Sequence, residues 1–227
     1  MSTARPLEPL RTSDVRPQRV WYASYGSNMY AERLDQYLAG GRPPGSNRVY
    51  PGCRDRTPPQ RSVAVTMPGQ VYFATESLVW TGGRGFYDPT ADGVAWAVTH
   101  LITVQQFADV AAQEMYREPG QDVELTEVLA TGRSERGPGR YETLVCPGAL
   151  EGLPVLTFTA PWRMADTGVR RPATAYVRQL AHGLKASSAW SDEEIAGYLS
   201  DRPGARGHLT PDAVMELLAD GAGRGSR

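Results

Sequence analysis

Between Val20 and Thr159, glycine and proline cut the chain into short apolar runs, and this punctuation constrains the fold more than any other feature. Runs of about four to ten residues suit strands. Val20–Tyr25 is aromatic and β-branched, and Gly93–Ile102 is the strongest strand candidate. Further strands are predicted at Val63–Thr66, Val71–Thr75, Ser77–Trp80, Gly85–Tyr87, Val123–Leu129, Tyr141–Cys146 and Val155–Thr159. Helical spacing appears from Asn28 to Leu38, with Tyr30, Leu34, Tyr37 and Leu38 on one face and Gly40 and Gly41 closing it. A second helix opens at Thr103, with Gln106 completing a capping box. Late helices are predicted at Pro172–Lys185, Asp192–Leu199 and Pro211–Leu218. Strands with two interspersed helices, then terminal helices, predict an α+β fold: a mixed β-sheet or small β-barrel with flanking helices.

At 227 residues this is one domain with additions. Residues 1–19 are punctuated by Pro and Arg and read as a flexible arm, disordered or loosely docked. Residues 20–200 form the domain, and 201–227 a further helix with a Gly-rich tail. Residues 41–60 carry five prolines and four arginines and predict a long loop. No apolar run reaches the roughly 20 residues of a membrane span, and no secretory signal stands at the start. A net charge of −1 argues against a general nucleic-acid binder. The two cysteines, Cys53 and Cys146, make no disulfide framework, so reduced thiols and a cytoplasmic location are expected.

Two features carry chemistry. Tyr25-Gly26-Ser27-Asn28 lies between a predicted strand and a predicted helix. Glycine allows an unusual turn there, and Ser27 or Asn28 can cap the helix. Such a turn offers unpaired N–H groups to a carboxylate or a developing oxyanion; the plain alternative is a capped turn with no ligand. Glu114 falls seven residues after Phe107, on the face of Val110 and Ala111. A carboxylate on an apolar stripe is expected to have a raised pKa, which suits proton transfer near neutrality; alternatively the helix frays and the side chain reaches water. Ser27 lacks a nucleophile elbow and a partner histidine. His100, His182 and His208 have no metal-ligand spacing, and no phosphate-binding glycine loop is present, so neither metal nor cofactor is expected.

Together these pieces resemble the gamma-glutamylcyclotransferase-like family. WYASYGSNM is similar to its strand–turn–helix motif, and Val79-Trp80-Thr81-Gly82-Gly83 with Gly93-Val94-Ala95-Trp96 to its middle strands. Gln113-Glu114 stands where the family places its catalytic glutamate, and Pro172 to Gly183 is similar to its late helix. Met115 replaces the family's usual Gly, implying a continuing helix or a bulkier pocket floor. The resemblance implies that Glu114 shuttles a proton while Tyr25, Gly26, Ser27 and Asn28 bind a small γ-glutamyl substrate. The products would be 5-oxoproline and a free amine, with no metal, cofactor, nucleic acid or membrane required. Separately from the resemblance, the length and stiffness of the loop at 41–60 suggest that it borders the pocket mouth, with Arg54 and Arg56 contacting a carboxylate on the leaving group; the plain alternative is a mobile surface loop remote from the site. A catalytically idle ligand- or partner-binding relative, and a metal-dependent deacylase, are the competing readings.

Overall fold

The structure is a computed structural model and describes residues 2–11, 16–42, 49–77 and 81–220. The predicted strand at Ser77–Trp80 and the Gly-rich tail at 221–227 fall wholly or mostly outside the described residues. Among the described residues no helix is long and apolar enough to cross a membrane.

The central strand β2 (Arg19–Ser24) is apolar at successive positions because both of its faces are covered. Val20 and Tyr22 join one cluster with Leu34, Tyr37, Phe107, Val110, Leu156 and Phe158. Trp21 and Ala23 point the other way, to Val65, Met67, Tyr87, Ala97 and Val155. β2 pairs antiparallel with β6 (Val94–Thr103) and parallel with β9 (Leu153–Thr159). β3 (Ser62–Pro68) lies beyond β6, while β8 (Thr143–Leu150) and β7 (Arg133–Glu135) lie beyond β9. With β1 (Arg5–Pro6) added parallel to β3, the order is β1-β3-β6-β2-β9-β8-β7: an open mixed sheet in an α+β fold, not a closed barrel. A separate hairpin of β4 (Gln70–Glu76) and β5 (Gly83–Asp88) packs over it, tied to β9 by Thr159 and Tyr87.

Helices α1 (Ala31–Leu38) and α2 (Val104–Glu114) cover the Tyr22 face of the sheet. Thr103 caps α2 with the expected box. The late helices α4 (Thr174–Ala186), α5 (Asp192–Ser200) and α6 (Pro211–Ala219) build a cluster of their own around Val177, Leu184, Ile195 and Val214. α6 is therefore part of the packed body, not an appendage.

Two expectations need correction, and one left open is decided. The segment predicted as a strand at Val123–Leu129 holds a short helix, α3 (Thr126–Thr131). Leu125, Val128 and Leu129 follow helical spacing, and Gly132 ends the helix at φ +81°. The N-terminal arm is docked over part of its length. Arg5 and Pro6 pair with Val65 and Thr66, and Glu8 exchanges backbone hydrogen bonds with Ala149 at 2.9 and 2.7 Å. The predicted helix at 28–38 begins late, because a 3₁₀ turn at Ser27–Met29 precedes α1.

Candidate active site

The site forms where β2 ends. After Ser24 the chain passes through Tyr25 and Gly26 into the 3₁₀ turn, whose first N–H groups, on Ser27 and Asn28, lack partners within the turn. Neither Ser27 nor Asn28 caps a helix with its side chain. Gly26 takes an extended φ of −114°, which other residues also adopt. A Cβ there would lie 3.4 Å from the Tyr176 hydroxyl, an ordinary contact on the wall of a cavity, so neither the backbone nor the space around it demands the glycine.

That cavity, of about 90 Å³, is lined by Gly26, Ser27 and Asn28 from the turn and by Glu114 from the last turn of α2. Asn28 Nδ2 donates to Glu114 Oε1 at 3.0 Å and to the Tyr22 hydroxyl at 3.3 Å. Asn28 is 3% exposed, and its Oδ1 is buried without a hydrogen-bond partner. Its backbone carbonyl accepts from His100 Nε2 at 3.0 Å, while His100 Nδ1 faces the Ser62 hydroxyl at 2.8 Å. Burial lowers the His100 pKa to about 4, so the ring is neutral and donates through Nε2. The histidine thus anchors the turn, with both ring nitrogens in hydrogen bonds.

Glu114 does not sit on the apolar stripe. Phe107 and Val110 are fully buried, but Glu114 is half-buried at the helix end and turned into a polar pocket. The helix stops there: Met115 is its cap and Tyr116 follows at φ +59°, so of the two readings of Met115 the continuing helix does not occur. Burial, reinforced by the Glu114 charge, raises the Tyr22 pKa well above its usual value, and burial pushes the Tyr176 pKa up to about 12. Both phenols stay protonated around the carboxylate. Tyr25 also lines the cavity, and its hydroxyl donates to the Phe158 carbonyl at 2.8 Å.

Sequence reasoning missed three guanidiniums that line the cavity: Arg33 from α1, Arg84 from β5 and Arg140 from the turn before β8. None has a carboxylate partner among the described residues. Arg33 and Arg84 each bury an Nε–H that has no hydrogen-bond partner. Three guanidiniums against one carboxylate make a pocket for an anionic molecule.

Arg54 and Arg56 do not line the cavity. Arg54 is held by the buried Asp109 through its backbone N at 2.8 Å and its Nε at 3.1 Å, and pairs with Asp122 at 2.8 Å. Arg56 donates to the Pro51 carbonyl at 3.2 Å. The described part of the 41–60 loop is pinned to the start of α2, where Gln106 Nε2 donates to the Thr57 carbonyl at 2.8 Å. The loop arginines therefore do not reach the site; residues 43–48 lie outside the described residues. Arg54→Ala is expected to cost about 1–3 kcal/mol, seen as a lower Tm, because Asp109 stays buried with fewer donors. Ligand selectivity should not change.

No family model matches the chain. Histone deacetylase 5 of Arabidopsis thaliana is 33% identical over 216 residues, covering 85% of this chain and 32% of that protein. The chain thus spans about a third of the length of that relative. Among solved structures, an uncharacterised protein from Homo sapiens aligns with a TM-score of 0.48 at 13% identity, covering 89% of this chain and 99% of the other. A gamma-glutamyl cyclotransferase aligns with a TM-score of 0.45 at 12% identity, covering 88% and 99%. The chain is an α+β domain with a mixed sheet, similar in sequence to a third of a protein named a deacetylase and aligned in structure with a cyclotransferase.

Proposed function

We propose that this protein is a cyclotransferase-type enzyme that converts a small γ-glutamyl compound into 5-oxoproline and a free amine, without a metal or cofactor. The observation that carries the reading is the 3.0 Å contact between Glu114 and Asn28 across a cavity lined by three guanidiniums. The pocket's unpaired groups suit an α-amino acid. Asn28 Oδ1 and the Glu114 carboxylate accept from the α-ammonium, and Arg33 and Arg84 supply donors for the α-carboxylate. The γ-carbonyl then faces the N–H groups of Ser27 and Asn28.

Glu114 takes one proton from the α-ammonium, and the freed amine attacks the γ-carbonyl carbon of the same molecule. Attack within one molecule needs mainly a bent conformation, which the pocket enforces. The oxyanion is stabilised by the backbone N–H groups. Glu114 gives its proton to the leaving nitrogen and takes a second from the ring nitrogen as the old C–N bond breaks. It passes that proton to the departing amine, which leaves as an ammonium. The carboxylate ends as it began.

The test is incubation of the pure protein with a panel of γ-glutamyl amines, with 5-oxoproline followed by mass spectrometry. Release from at least one compound is expected, and none from any would sink the reading. The name of the Arabidopsis relative raises a metal-dependent deacylase as the alternative, although among the described residues no three His, Cys, Asp or Glu side chains gather to hold a metal ion. The two chemistries part on chelation. 5-Oxoproline release should survive exhaustive chelation unchanged, and activity that is lost and then restored by zinc would favour the deacylase.

A further inference from the structure

The cavity has more positive charge than an amino-acid end requires. One α-carboxylate engages Arg33 and Arg84, which leaves Arg140 without an anionic partner. Its position in the site is distinctive. Arg140 Nη2 donates to the backbone carbonyl of Glu114 at 2.9 Å, so its guanidinium stands beside the residue that must protonate the leaving nitrogen. It also stacks over the Tyr116 ring, 4.7 Å from the centroid, and over Tyr141 at 5.8 Å. Tyr116 is 57% exposed, which marks this side of the cavity as its mouth. A substituent on the leaving nitrogen must point toward solvent, because the γ-glutamyl end occupies the turn. It therefore passes Tyr116 and Arg140.

The loop that carries Arg140 is preorganised. Glu142, 7% exposed, accepts from the Gly139 N–H at 2.7 Å and forms an ion pair with Arg117, the residue after Tyr116. Both sides of the mouth are thus held together before a ligand arrives, which lowers the ordering cost of binding.

We propose that Arg140, stacked on Tyr116, is a specificity-determining residue that binds an anionic group on the leaving amine. The inference rests on the cyclotransferase reading and goes beyond it by assigning leaving-group selection to this pair. A charge-assisted contact of this kind typically yields about tenfold or more in discrimination.

The probe is a matched pair, γ-glutamyl-alanine and its terminal carboxamide, differing only in the charge at the leaving-group end. The wild-type protein is expected to favour the carboxylate by about tenfold in kcat/KM, mostly through KM. Arg140→Ala should erase that preference, raising KM about tenfold more for the carboxylate substrate than for the carboxamide. Arg140→Lys should keep part of the preference, since it retains a point charge without the fork. Equal loss on both substrates, seen in both variants, would mean that Arg140 only holds the end of α2, and would overturn the assignment. So would a wild-type protein that forms 5-oxoproline from both without preference. Absence of 5-oxoproline from both of these substrates, with release from another member of the panel, overturns the subsite alone, whereas absence from the whole panel removes the parent reading as well.

Discussion

Glu114→Gln should fold normally and lose about 100- to 10,000-fold in the rate of 5-oxoproline release. The glutamine amide oxygen can still accept from Asn28 Nδ2, so the contact that fixes the turn survives. Its length is unchanged, and the carbonyl that Arg140 grips belongs to the backbone. What disappears is the ability to hold and return a proton. Mass spectrometry of the product reads the rate, and a thermal melt within a few degrees of wild type shows that the fold is intact. A glutamine variant with nearly full activity would remove Glu114 from the chemistry.

A second large effect concerns acid stability. His100 is 1% exposed and neutral, with a pKa of about 4 against an ordinary value of 6.5. An unfolded chain binds a proton at this ring as the pH falls through 6.5, while the native protein does not until about 4. Stability is therefore fully present above pH 6.5 and drains away between there and about 4. The total from this one group is on the order of 3 kcal/mol. Protonation would also give the ring a second N–H where it now faces Ser62, disturbing the anchor under Asn28. Denaturant melts across this range should show wild-type stability falling more steeply than that of His100→Gln, which cannot titrate. Parallel pH slopes for the two would overturn the assignment.

Much of the fold was legible because its signals are local. The capping box at Thr103 and Gln106, the aromatic and β-branched run of β2 and the Thr210-Pro211 start of α6 each lie within one stretch of chain. The strand expected at Val123–Leu129 failed because the alternation of Val123 and Leu125 competed with the helical spacing of Leu125, Val128 and Leu129. Gly132, just past the last helical residue, was the cue that should have decided it.

The site was half legible for a similar reason. Glu114 and Tyr25–Asn28 stand out against neighbours in their own segments, and the structure puts the two segments in contact through Asn28. Arg33, Arg84 and Arg140 come from a helix, a hairpin strand and a turn, so only tertiary packing brings them to one cavity. Twenty-three arginines in the sequence hid them, and the Pro-rich loop drew attention to Arg54 and Arg56 instead. Nothing in the sequence around Arg54 showed that Asp109 would take its guanidinium.

The two ends of the main sheet govern how the protein behaves in company. A sheet border is a template on which another molecule can lay a strand, and long flat borders are how such proteins polymerise. At one border here lies β1, only Arg5 and Pro6, and the proline has no N–H to offer a newcomer. At the other lies β7, three residues whose Arg133 and Glu135 are paired at 3.0 Å. Without residues 3–8, the seven-residue β3 would become that border, with Val63, Val65 and Met67 along it. The small N-terminal strand therefore leaves a short, proline-bearing border at that end of the sheet, and the chain beyond it turns to bridge Ala149 of β8 through Glu8.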